Sequence, residues 1–148
     1  MYLCRTMMPK IQFRLLTREE LVPLEKDFVL FLAAQGIANT DWTAIQEHDP
    51  LRHQKLLIDF SNMVWHKILD GKECMEFVAH GHRYVIHYRE NETEMIRTSL
   101  QPPFQVARKI STRDTDVKTA MFEALEAGAV FCQIADFEAC KLLWQGTV

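Results

Sequence analysis

The stretch CMEFVAHGHRYVIHYRENETEMIRTSL, residues 74–100, decides the fold. Apolar and polar residues alternate with a period of two over 74–79, 82–89 and 93–100. These runs are rich in β-branched and aromatic side chains, so each reads as a half-buried strand. His80-Gly81 and Glu90-Asn91-Glu92 interrupt the alternation with turn-forming residues. The spacing predicts a three-stranded antiparallel meander, and Phe104, Val106 and Ile110, beyond Pro102-Pro103, offer a fourth short strand. A two-residue turn at His80-Gly81 sets Phe77 against Tyr84 and Met75 against Ile86, and a three-residue second turn sets Ile96 against Ile86. One apolar face is expected, carrying Met75, Phe77, Tyr84, Ile86, Tyr88, Ile96 and Leu100 beneath helices, with Arg83, Arg89 and Arg97 on the other.

Working outward, the period changes to that of a helix. Thr17 and Glu20 have the spacing of a capping box, and Leu21, Leu24, Phe28, Phe31 and Leu32 repeat every three or four residues up to a stop at Gly36. This predicts a helix over about 17–35, kinked or restarted at Pro23. Asp41 is expected to cap a short turn through Trp42 and Ile45 that ends before Asp49-Pro50. A long helix over about 51–69 carries a stripe of Leu57, Phe60, Val64 and Ile68. After the sheet, helices are expected over about 114–127, with Met121 inward, and 136–145, burying Phe137, Cys140, Leu143 and Trp144. Residues 1–10 read as a loose end. The whole reads as one two-layer α+β domain, its sheet packed against N-terminal and C-terminal helices.

Composition bounds the function. The 148 residues are 48% hydrophobic and 25% charged, the profile of a globular domain able to bury a core without metal or disulfide. Seventeen Lys plus Arg against 20 Asp plus Glu give a net charge of -3, too near neutral for a generic polyanion binder. Cys4, Cys74, Cys132 and Cys140 form no CxxC pair, and no signal-like or membrane-length apolar run is present, so free thiols in a cytoplasm are expected. No Walker loop, GxGxxG or GxSxG occurs, and no cofactor is implied.

Chemistry has one lead. All six histidines lie between His48 and His87. His80 and His82, at alternate strand positions, are the best candidate metal pair, while His87 has the opposite parity and a third ligand must come from elsewhere, Asp59 or Asp70 being the candidates. His66 lies between the same two carboxylates at helical spacing. A hairpin turn and a solvated helix account for these residues without chemistry. Charge is uneven: residues 80–113 carry six basic and three acidic residues, whereas 114–148 carry two and six. The aromatic side chains fall on the face opposite the arginines, so a stacking platform for nucleic acid is not expected.

The runs FRLLTREEL at 13–21, FLAAQGI at 31–37 with Trp42, and FSNMVW at 60–65 resemble the N-terminal half of a family of small uncharacterised bacterial proteins, over residues 11–70 and more loosely beyond. The resemblance implies a bacterial cytoplasmic protein and transfers no catalytic residue. The leading expectation is a non-catalytic domain that binds a protein partner, itself included, because Phe131, Phe137, Leu142, Leu143 and Trp144 supply more apolar surface than one sheet face absorbs. The alternative is a metal-dependent enzyme using His80 and His82. Third is weak nucleic-acid binding through the arginine face.

Overall fold

The computed structural model describes residues 10–146. Cys4 and, Lys10 apart, the expected loose end lie outside the described residues. The fold is α+β, and its contacts gather into two compact units, one up to Ile68 and one from Leu69 onward.

The first unit is helical. Thr17 and Glu20 close the expected capping box at the start of α1 (Arg18–Leu21), through Oγ1 to the Glu20 amide at 3.2 Å and Oε1 to the Thr17 amide at 2.8 Å. Pro23 does not kink a continuous helix. It sits in a 3-10 turn, Val22–Leu24, where its missing N–H costs little, and α2 (Glu25–Ala34) starts afresh after it. At Gly36 the backbone turns left-handed (φ 77°), and the Ile37 amide reaches back to the Leu32 carbonyl at 2.9 Å. Residues 41–45 are more than a short turn: α3 spans Asn39–His48, with Asp41 in its first turn accepting from the Ala38 amide. Asp49 then caps α4 (Pro50–Leu69) through the Arg52 amide at 3.2 Å, with Pro50 at the first helical position, where it is tolerated best.

Leu32, Ile37, Ile45 and Leu56 form the core of this unit, and the rings of Phe28, Phe31 and Phe60 meet at 4.9 to 6.3 Å around it. The buried Ser61 hydroxyl accepts from the Leu16 amide at 3.0 Å, and the Trp65 indole donates to the Arg14 carbonyl at 3.1 Å, tying the segment before α1 onto α4.

The second unit holds an antiparallel sheet of five strands in the order β4-β3-β2-β1-β5: β1 (Cys74–Ala79), β2 (His82–Tyr88), β3 (Glu92–Ser99), β4 (Val106–Thr112) and β5 (Val130–Phe131). The meander therefore has four strands, and a two-residue strand joins its free edge. His80 and Gly81 both have positive φ, 51° and 75°, which makes the tight hairpin turn and fixes Phe77 opposite Tyr84 and Met75 opposite Ile86 as expected. The second turn is one residue different in register: Met95, not Ile96, faces Ile86, and Ile96 faces Val85. A one-residue slip moves every side chain of a strand to the other face. Both faces thus carry apolar residues.

One face, bearing Cys74, Val85 and Ile96, packs against Phe137 and Cys140 of α6 (Ile134–Gly146). Leu143, expected in that core, is instead 58% exposed beside an exposed Leu142, because Phe137, Cys140 and Trp144 define the inner side of the helix. Between β4 and β5, α5 (Val117–Glu126) is capped by Asp116 and buries Met121.

Candidate functional site

The histidines disperse. His82 sits at the first position of β2, and its Nδ1 lies 2.9 Å from the His80 carbonyl, which binds the ring to the turn. His87 lies across the strand on the α6 side, 5.2 Å from the Phe137 ring, with Glu73 at 3.9 Å. Burial lowers the His87 pKa, partly offset by Glu73, so the ring is neutral at pH 7. His53 stacks on Trp42 at 4.5 Å, and His66 Nε2 meets Gln12 Oε1 beside the Phe13 ring. The Asp59 carboxylate is taken by Lys55 at 3.0 Å, and Asp70 faces Lys118 at 3.5 Å. Among the described residues no three His, Cys, Asp or Glu side chains form a group able to hold a metal ion.

The arginines also separate. The register slip sends Arg97 to the face of Tyr84, while Arg83 and Arg89 remain on the α6 side, so the common arginine face does not exist. Arg83 reaches Glu76 at 2.5 Å. Arg89 and Arg108 hold Glu94 at 2.6 and 2.5 Å, with Lys141 of α6 at 3.6 Å. Glu94 is fully buried. Burial alone raises its pKa, yet the Arg108 hydrogen bond and the three cations outweigh that and hold it below the ordinary carboxylate value. With each oxygen accepting from an arginine, this carboxylate is a structural anchor for the sheet.

The thiols are likewise structural. Burial pushes Cys74 up to about 12 and Cys132 to about 11, and raises Cys140, so none is a thiolate at neutral pH.

One feature with room for a partner lies in the helical unit. A groove of about 750 Å³ runs between α2 and α4, walled by Leu24, Leu30 and Phe31 on one side and Met63, Val64 and Ile68 on the other. Leu30 is 68% exposed, and Met63 and Ile68 are exposed too. Val64 and Ile68 belong to the stripe that the sequence assigns to the core. In the fold Phe60 is buried as expected, together with Ile58, Ser61, Trp65 and Leu69, whereas Val64 and Ile68 border the groove. Asp27 stands on the α2 wall and Lys67 on the α4 wall, and neither has an ion-pair partner among the described residues.

A family model matches residues 8–121, most of the chain. The chain belongs to DUF6495, a family of unknown function. The match runs further than the 11–70 resemblance seen in the sequence, and covers α1 to α4, the meander and the start of α5. The DUF6495 match includes the groove and all four strands of the meander, but stops short of α6 with its exposed leucines. Neither the curated proteins nor the solved structures contain a match to the chain.

Proposed function

We propose that this DUF6495 chain is a non-catalytic interaction module that pairs with a second copy of itself through the α2–α4 groove, in the cytoplasm of a bacterium. The observation that carries the reading is the groove itself: a contiguous apolar surface in which Leu30, Met63 and Ile68 are open to solvent on facing walls. Its rims select the occupant. An acidic residue on one wall and a basic one on the other make the surface self-complementary under a two-fold axis, with Asp27 of each copy facing Lys67 of the other. Free thiols at Cys74, Cys132 and Cys140 and the resemblance to small bacterial proteins support the compartment.

Sedimentation equilibrium tests it. The wild-type chain is expected to sediment at twice its monomer mass. Leu30→Glu places a charge in the interface and is expected to give a monomer with unchanged circular dichroism, since an exposed position tolerates substitution within about 0.5 kcal/mol. A wild type that stays monomeric up to a concentration on the order of 100 µM overturns the proposal.

A further inference from the structure

The strand register sorts charge between the two sheet faces. Glu76, Glu92 and Glu94 all lie on the α6 side. On the other face the strands carry no acidic residue but carry two cations, Arg97 and Lys109, diagonal neighbours on β3 and β4. Neither side chain has a hydrogen-bond or acidic partner among the described residues, and both residues are exposed. Cations with no acidic partner on their own strands' face favour an external anion.

Aromatic surface adjoins them. The Phe77 and Tyr84 rings stack at 4.6 Å with 6° between their planes, across the β1–β2 pair. In the strand order Phe77 covers the β1 side of Tyr84, which leaves its β3 side to an open slot of about 280 Å³. Ala107 leaves space on the floor of that slot, Met95 lines it, and Arg97 and Lys109 stand at its rim. A planar ring with cations beside it fits a nucleobase linked to phosphate, because every base has a face to stack and phosphate is the counter-ion. The slot is below the roughly 300 to 1,000 Å³ of pockets that enclose small ligands, so it takes one base and leaves the rest of the molecule outside. A strand running over the sheet gains further contacts there, whereas a free nucleotide stays mostly in water.

We infer that this face of the sheet binds single-stranded nucleic acid, stacking one base on Tyr84 while Arg97 and Lys109 hold adjoining phosphates. Binding of a fluorescein-labelled oligothymidylate of about 12 nucleotides, followed by anisotropy across a salt series, tests it. Two phosphate contacts predict a slope of log K against log salt of about -1.4, falling to about -0.7 in Arg97→Gln. Tyr84→Ala is expected to weaken binding about tenfold, and Tyr84→Phe, which keeps the ring, to restore it. Lys26→Gln, in the helical unit, is expected to change nothing. The inference is overturned if the oligomer does not bind at low salt. It is equally overturned if Tyr84→Phe and Arg97→Gln leave wild-type affinity and slope while folded Tyr84→Ala does the same. Thymidine monophosphate binding as tightly as the oligomer also overturns it, in favour of a free-nucleotide site. The groove plays no part in these readouts, so the pairing proposal and this one fail separately.

Discussion

Glu94 has no solvent exposure and touches three cations, Arg89, Arg108 and Lys141, which join β2–β4 to α6. Removing one partner from such a cluster leaves the others facing low dielectric without a counter-charge, and this loss exceeds what the intact cluster adds over an apolar core. Glu94→Gln is expected to cost about 2 to 4 kcal/mol in urea denaturation, less than a fully buried pair because Arg89 and Arg108 keep some contact with water. A loss below about 0.5 kcal/mol would show that the cluster is not a structural anchor. The sequence offers no sign of this role, since Glu94 reads as one polar residue of an alternating strand until register is known. The histidines teach the converse lesson. Six within forty positions look like a metal site, but helix, turn and strand parity send them to separate places, with His82 bound to its own turn and His87 against Phe137.

Signals confined to one element were readable, and those needing two were less so. The α1 capping box, the stop at Gly36 and the His80-Gly81 turn are local chemistry and stand where the spacing puts them. The β2–β3 register depends on a turn whose residues allow more than one loop geometry, and one position of slip misplaced Ile96 and Arg97. β5 is two residues long and has no periodicity to detect. The α1 cap also gives a pH prediction. Glu20 is held down to about 2 from the ordinary 4.5, first by its hydrogen bond to Arg14, at 2.6 Å, and further by Thr17. A carboxylate with a depressed folded pKa adds stability above its unfolded pKa and loses it as pH falls through the folded one. The Glu20 contribution should therefore be complete above about pH 4.5 and fade towards pH 2, so Glu20→Gln should flatten that part of the acid limb. The effect is modest because the side chain is about a third exposed. An acid limb identical to wild type would contradict the assignment.

At the scale of the whole molecule the α+β class was legible, because a switch from period 3.6 to period 2 and back is a property of long runs. Which apolar residues stay in the open was not. Val64 and Ile68 stand in the stripe that the helical period assigns to the core, and only the packing of α2 beside α4 shows that both border a groove. Likewise Leu143 counts as core until Phe137 and Cys140 fix the rotation of α6. None of the helices is long and apolar enough to cross a membrane among the described residues, so a lipid bilayer spanned by helices does not account for this exposed surface. A second copy does. The most direct measurement is a charge exchange across the groove, read as the dimer dissociation constant by sedimentation. Asp27→Lys and Lys67→Asp are each expected to weaken pairing, by setting like charges against one another at both ends of the two-fold interface. The double variant, which restores both pairs with the signs reversed, is expected to recover wild-type pairing. If it pairs no better than either single variant, Asp27 and Lys67 do not meet across a two-fold axis and the account of the groove is wrong.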